Sequence, residues 1–287
     1  MKINNFARMI AAISLALPAG ICAQEAEETP AVPAAIVPKP IILVLSQQAA
    51  MGETERLTGF HLAEASHPWQ VFHLSGFPVL LASPKGGFAP LDPSSFTLDD
   101  PANKSFMTSF GGEVDGRQGV LKTASLTGLK ASDYSAIFFA GGHGAMWDFP
   151  SDPNLQSLTA AIYEQGGAVG AVCHGPAALT KITLSDGSSI VNGKNMAAFT
   201  NAEEKAVKLD GVVPFSLQDL LTSNGAKLKI TENFKENAVL DDRLATGQNP
   251  ASATKTAELL VQALGAKPAK TPEPEAELHE KEVEGHE

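Results

Sequence analysis

The chain has 287 residues, of which 44 % are hydrophobic, and a formal net charge of −11 at pH 7. This length is enough for one sizeable domain with flanking segments. The excess of acidic residues argues against nucleic acid and anionic membrane surfaces as partners.

The N-terminal segment, residues 1–23, has the pattern of an export signal. Lys2 and Arg8 provide a positively charged start, residues 9–17 form an apolar core, and a small residue precedes the expected cleavage point. No later apolar segment is long enough to span a bilayer. The pattern predicts an exported protein, periplasmic in a Gram-negative host, with a lipoprotein anchored at Cys22 as the alternative.

The flanking segments differ in composition from the body of the chain. Residues 24–40 are rich in Ala, Pro and Glu and predict a disordered linker, and residues 266–287 predict a disordered acidic tail. The body, residues 41–265, is one domain in length. Loss of the signal leaves Cys173 as a single thiol, which excludes a disulfide or a cysteine-based metal site.

Apolar runs and helical patterns alternate along the body. Short continuous runs predict strands buried on both faces at 41–45, 79–82, 137–140 and 168–172. Helix signals predict helices from Pro153 to the Gly166-Gly167 pair, at 214–221 and at 251–264. Residues 239–246 predict a small inserted hairpin. The fold class is therefore α/β, with a mainly parallel sheet and helices on both faces.

The most informative phrase follows the strand predicted at 168–172. There the apolar run stops at Cys173, beside His174 and Gly175, which is the pattern of a nucleophile elbow. A helix N-terminus after the elbow would lower the pKa of the thiol. The alternative interpretation is a buried structural cysteine.

A second phrase follows the strand predicted at 137–140. Gly141, Gly142 and His143 lie where adjacent glycines would let backbone N–H groups approach a ligand, as an oxyanion hole requires. The alternative is an ordinary glycine-rich turn. In a parallel sheet both phrases fall at the carboxyl edge, where ligands bind.

Seven phrases in order resemble the ThiJ/PfpI superfamily, and most closely its glyoxalase III and heat-shock chaperone branch. They are T-G-F-H-L-A-E-A at 58–65, A-S-P-K-G-G at 82–87, P-L-D-P-S-S at 90–95, G-G-H-G at 141–144, A-V-C-H-G-P at 171–176, F-T-N-A-E-E at 199–204 and T-G-Q-N-P-A-S at 246–252. The resemblance implies a flavodoxin-like three-layer sandwich.

The resemblance also implies roles for particular residues. Cys173 matches the family's nucleophile and His174 its neighbouring histidine, while Glu64 matches the acid that lies against the sulfur. Glu204 matches the acid that orients the histidine, although the adjacent Glu203 is an alternative. The N–H groups of Gly142 and His174 match the oxyanion hole.

The implied activity is that of a glutathione-independent glyoxalase of the D-lactate dehydratase type. The thiolate would add to methylglyoxal or glyoxal, a base (Glu64 or His174) would move a proton through an enediolate, and hydrolysis would release D-lactate or glycolate. No cofactor is expected, the partner is a small reactive aldehyde, and a homodimer is implied. The alternatives are a protein deglycase, a holding chaperone and a cysteine redox sensor.

Three further histidines lie near Glu64 in the sequence: His61, His67 and His73. His61 and His67 are each three positions from Glu64, so on one helix all three residues could share a face. A metal site there is conceivable, but pocket-lining or surface histidines are the favoured interpretation.

Overall fold

The computed structural model of the protein describes residues 38–112 and 119–269. The predicted export signal (1–23) lies outside the described residues, as do almost all of the predicted linker (24–40) and the predicted tail (266–287). In the part of the chain that is described, no helix is both long enough and apolar enough to cross a bilayer.

The centre of the fold is an eight-stranded sheet in the order β3-β4-β2-β1-β5-β6-β10-β9. Its five neighbouring pairs from β4 to β10 are parallel, and the edge strands β3 and β9 are antiparallel to their neighbours. Strands β7 and β8 form a separate parallel pair. The strands are β1 Ile41–Val44, β2 Val79–Ser83, β3 Lys85–Gly87, β4 Thr123–Ser125, β5 Ala136–Phe139, β6 Ala168–Val172, β7 Asn195–Met196, β8 Lys227–Leu228, β9 Ala238–Asp241 and β10 Leu244–Gly247.

Helices cover both faces of this sheet. They are α1 Leu62–Leu74, α2 Pro101–Phe110, α3 Ala145–Asp148, α4 Pro153–Glu164, α5 Asn201–Ala206, α6 Leu217–Ser223 and α7 Ala253–Ala263. Helix α1 connects β1 to β2 in one direction along the sheet, and α4 connects β5 to β6 in the other direction. Right-handed crossovers therefore place α1 and α4 on opposite faces. Helix α1 packs against α2 and α7, while α4 packs against β5 and β6.

The central strands are apolar because they are buried on both faces. Every residue of β1, β5 and β6 is buried, as expected for parallel strands under two helical layers. The predicted α/β class, with a mainly parallel sheet, is confirmed.

Two predicted elements differ in part from those in the structure. The helix predicted at 214–221 begins only at Leu217, because the side chain of Ser216 caps it by accepting from the N–H of Asp219. The predicted hairpin is the antiparallel pair β9 and β10, and its second strand also pairs in parallel with β6 as part of the main sheet.

The carboxyl ends of β1, β5 and β6 meet at one edge of the sheet. The Gly141 phrase follows β5 and Cys173 follows β6, so the topology brings together two phrases that are some 30 residues apart in the sequence. The N–H of His61 donates to the carbonyl of Gly141 (3.0 Å), which fixes the start of α1 at the same edge.

A glycine in β6 allows close packing between two central strands. A methyl group at Gly170 would overlap the ring of Phe138 on the neighbouring strand. We therefore expect Gly170→Ala to destabilise the fold by about 1–3 kcal/mol and to lower the midpoint of thermal unfolding by several degrees. Gly211→Ala is the matched control, because no atom of the described residues lies within 4 Å of a Cβ there. Equal midpoints for the two variants would contradict this account of the packing.

Candidate active site

Cys173 lies in a strained turn directly after β6. Its φ is 60°, in the left-handed region that residues other than glycine seldom adopt. Two backbone hydrogen bonds hold it there, since its N–H donates to the carbonyl of Gly247 (2.9 Å) and its carbonyl accepts from the N–H of Phe199 (2.9 Å). Strain of this kind persists where the surroundings enforce it, typically at functional sites.

His174 connects the thiol to a carboxylate. Its Nδ1 lies 3.2 Å from Sγ of Cys173, and its Nε2 lies 2.9 Å from Oε2 of Glu204. Burial lowers the pKa of His174 to about 4, with a further contribution from His143, so the ring is neutral near pH 7. An ionised Glu204 can only accept, so Nε2 of His174 carries the proton and Nδ1 presents a lone pair to the thiol.

Glu204 also accepts from a second histidine. Nε2 of His143 lies 2.9 Å from Oε1 of Glu204, and the rings of His143 and His174 are 4.1 Å apart. Burial opposes ionisation of Glu204, but the two histidine hydrogen bonds together outweigh it and lower the pKa of Glu204 to about 2. The sequence predicted His143 as part of the oxyanion-hole segment, whereas its side chain is hydrogen-bonded to the Glu204 carboxylate.

His143, His174 and Glu204 also form the one group in the described ranges, 38–112 and 119–269, whose ligand atoms are close enough to hold a metal ion. These atoms all lie within 4.8 Å of one another. In the present arrangement both Nε2 atoms are hydrogen-bonded to the carboxylate, so a metal would have to displace two protons.

Glu203 has a different partner set from Glu204. Its Oε2 accepts from the N–H and the hydroxyl of Thr200 in a capping box at the start of α5. Its Oε1 accepts from the N–H of Phe234 and the side-chain amide of Asn249. The sequence did not decide between these two glutamates. Glu204 is the one that contacts His174, whereas Glu203 connects its own helix to the segments that carry Phe234 and Asn249.

Glu64 approaches the thiol from the opposite side. It lies in the first turn of α1, is 0 % exposed, and its carboxyl group faces Cys173 and the backbone of Gly141. Neither of its oxygens has a hydrogen-bond partner of good geometry among the described residues. Burial raises the pKa of Glu64 from its ordinary value of 4.5 to about 8, so the group is a neutral acid near pH 7.

The expected lowering of the thiol pKa is wrong. Burial, and after it the neighbouring carboxyl group of Glu64, raise the pKa of Cys173 well above its ordinary value. The segment that follows the elbow is a 3₁₀ helix, Gly175–Lys181, and desolvation of the thiolate outweighs its backbone dipoles. The thiol is therefore protonated at rest, beside a histidine that can take the proton.

The two glycines of the second phrase allow a close approach of backbone. A Cβ at Gly141 would overlap Oε2 of Glu64, and a Cβ at Gly142, whose φ is 98°, would overlap the carbonyl of Gly59. Among the described residues, no backbone carbonyl accepts from the N–H of Gly142 or of His174. These two amides are thus available to an oxyanion, and this role stays a prediction.

The three histidines near Glu64 do not converge. His67 lies 2.8 Å from a carboxylate oxygen of Asp100, and His73 stacks on Trp69. His61 precedes α1 as its N-cap residue, with its Nδ1 3.9 Å from Oε1 of Glu64. The sequence spacing placed His61 on the helix together with His67, whereas His61 precedes the helix. The spacing therefore did not distinguish His61 as a residue of the site.

The raised pKa of the buried Glu64 affects how folding stability depends on pH. In the unfolded chain it ionises near its ordinary value of 4.5, but in the folded protein it keeps its proton up to about pH 8. Folding stability is therefore lost as the pH rises through this range. We expect Glu64→Gln, which cannot ionise, to show a smaller fall in thermal midpoint between pH 5 and pH 9 than the wild type.

The exposed Glu55 provides the control. Glu55→Gln should follow the wild-type curve of midpoint against pH. Parallel curves for Glu64→Gln and the wild type would contradict a raised pKa at Glu64.

Comparison with known proteins identifies relatives of this chain. A model of the DJ-1/PfpI family matches residues 56–263. The glutathione-independent glyoxalase HSP31 of Saccharomyces cerevisiae is 30 % identical over 236 residues, which cover 80 % of this chain and 99 % of the relative. Glyoxalase 3 of Candida albicans is 30 % identical over 233 residues, covering 78 % and 98 %.

Solved structures agree with these alignments. The Rapid Encystment Protein 24 kDa of Francisella tularensis is similar with a TM-score of 0.73 at 36 % identity, covering 79 % of this chain and 99 % of that one. Glyoxalase III of Candida albicans is similar with a TM-score of 0.69 at 28 % identity, covering 78 % and 97 %. From the match over most of its length, the chain belongs to the DJ-1/PfpI family, in the glyoxalase III branch.

Proposed function

We propose that this protein is a glutathione-independent glyoxalase of the D-lactate dehydratase type, which converts methylglyoxal or glyoxal to a hydroxy acid on Cys173. The observation that carries the proposal is a thiol held between neutral His174, backed by ionised Glu204, and the protonated acid Glu64. Protonated Glu64 supplies the acid and neutral His174, oriented by Glu204, supplies the base that this isomerisation needs. The glyoxalase names of the relatives support the same reaction.

The first step is addition of the thiol to the aldehyde. Sγ of Cys173 bonds to the aldehyde carbon while its proton passes to Nδ1 of His174, 3.2 Å away. Glu204 stabilises the imidazolium, and the amides of Gly142 and His174 stabilise the oxyanion. The oxyanion then takes the proton from Nδ1, which leaves a neutral hemithioacetal and neutral His174.

The second step moves a hydrogen between the two former carbonyl carbons. His174 takes the proton from the hemithioacetal carbon while Glu64 gives its proton to the neighbouring keto oxygen, and an enediol forms. His174 then protonates the second carbon, and the hydroxyl on the first carbon returns a proton to Glu64. The product is a thioester, with both residues restored to their starting states.

Hydrolysis completes the cycle. His174 takes a proton from the water that attacks the thioester, and the departing sulfur recovers a proton from His174. One water is consumed, and no electrons leave the substrate. The steps therefore need no redox partner.

The burial of the nucleophile favours a small substrate. Cys173 is only 4 % exposed, so a two- or three-carbon aldehyde can reach Sγ with less rearrangement than an adduct on a protein side chain. This favours glyoxalase activity over deglycation.

Location and assembly belong to the same proposal. The protein acts after export, in the periplasm, where it removes methylglyoxal, and it works as a homodimer. The positive start and apolar core of residues 1–23 support export, and the family resemblance supports the dimer.

Turnover of methylglyoxal without glutathione tests the proposed reaction. We expect the wild type to form lactate and Cys173→Ser to form none above background. Glu64→Gln should lose about a hundred- to ten-thousandfold in rate, the usual contribution of one general acid or base. Lactate should be measured with a D-specific enzymatic assay. Absence of product from the folded wild type would overturn the proposal.

The pH profile tests the assignment of acid and base. His174 is neutral above its pKa of about 4 and Glu64 is protonated below about 8. We expect kcat/KM to rise with a limb near pH 4 and to fall with a limb near pH 8. The upper limb belongs to Glu64, because burial raises the pKa of Cys173 well above its ordinary value.

In Glu64→Gln the limb near pH 8 should disappear from the residual activity. Circular dichroism at each pH separates ionisation from unfolding. A wild-type profile that keeps rising through pH 9 would show that Glu64 acts as a carboxylate base instead.

A further inference from the structure

His61 is fixed beside the proposed reaction centre by its backbone. Its N–H donates to the carbonyl of Gly141, and its carbonyl accepts from the N–H of Glu64 (3.1 Å). The residue is the N-cap of α1, yet its side chain makes no capping hydrogen bond. The backbone of His61 is therefore fixed at this edge of the sheet, while its imidazole is not used for helix capping.

Three polar atoms near Cys173 are buried without a partner in the described part of the chain. Nδ1 of His61 and both carboxyl oxygens of Glu64 are buried without a hydrogen bond among the described residues. Such groups cost free energy and call for an explanation. Nδ1 lies 3.9 Å from Oε1 of Glu64, which is too far for a direct hydrogen bond. Both atoms are closed to solvent in the resting state, but the His61 side chain is 27 % exposed, so a rotation of its ring would admit one oxygen atom of a ligand within hydrogen-bond distance of both.

The protonation states of His61 and Glu64 determine which kind of ligand atom can bind to both. Burial lowers the pKa of His61 to about 4, against the opposing influence of Asp92, so the ring is neutral near pH 7. Glu64 is protonated there and donates. With the proton of the ring on Nδ1, both groups are donors, and a carbonyl oxygen is the acceptor that satisfies them.

We propose that His61 and Glu64 form a subsite for the second carbonyl oxygen of an α-oxoaldehyde, so that His61 binds substrate and selects vicinal dicarbonyls over simple aldehydes. This inference rests on the proposed glyoxalase function. When Glu64 passes its proton to the keto oxygen, the N–H of His61 remains as a donor beside the new carboxylate. The enediol is thereby stabilised more than the ground state is.

The test compares two aldehydes in His61→Phe and His61→Gln. Propanal can form the hemithioacetal on Cys173 but has no second carbonyl, so it acts as an inhibitor. We expect His61→Phe to lower kcat/KM for methylglyoxal by about 10- to 100-fold, the effect of losing one strong hydrogen bond. The inhibition constant of propanal should change less than about twofold. His61→Gln, whose amide can donate to the same oxygen, should recover much of the loss.

His73→Gln is the matched control, because His73 lies exposed on the same helix. It should leave both constants unchanged. Unchanged methylglyoxal kinetics in His61→Phe would overturn the subsite. So would an equal loss of methylglyoxal turnover and propanal inhibition, which would indicate a merely structural role.

A second readout separates this inference from the proposed function. If the wild type makes no lactate, the glyoxalase proposal fails, but protection of Cys173 from iodoacetamide still tests the subsite. Methylglyoxal should then protect the wild type at lower concentration than propanal does, and His61→Phe should abolish that difference. Equal protection by the two aldehydes in the wild type would overturn the inference.

Discussion

The hydrogen bonds of the Glu204 carboxylate determine where the protons lie in the rest of the site. Glu204 accepts from Nε2 of both His143 and His174, so two charge-assisted hydrogen bonds offset the cost of burying one anion. The proton on Nε2 of His174 leaves a lone pair on Nδ1, and that lone pair faces the thiol. If Glu204 were neutral, the tautomer of His174 would no longer be fixed and Cys173 would have no defined base.

The same residue type takes opposite protonation states on the two sides of Cys173. Glu204 accepts from two histidines and stays ionised, whereas Glu64 has no histidine donor among the described residues and stays protonated. The surroundings of each glutamate, and not the chemistry of the side chain, therefore determine its protonation state. A thiol protonated at rest is also a weak target for oxidants, since oxidation proceeds through the thiolate. The site therefore generates its nucleophile only when His174 accepts the proton.

The sequence predicted the elements whose signals are local. The apolar run that ends at Cys173 identified both β6 and the elbow, and the other buried runs located β1, β2 and β5. The sequence also carries a local signal that separates Glu203 from Glu204, because Thr200 and Glu203 have capping-box spacing. The role of His143 and the pKa of Cys173 could not be predicted, since each depends on residues brought together only by the folded sheet.

The left-handed backbone at Cys173 restricts how this protein can diverge. Serine carries one unbranched heavy atom beyond Cβ, as cysteine does, and it can occupy a φ of 60° with similar strain. Threonine and valine are branched at Cβ, and that conformation is an outlier for them. Evolution of a different chemistry on this scaffold can thus exchange sulfur for oxygen in one substitution, while a branched nucleophile would require the end of β6 to be rebuilt.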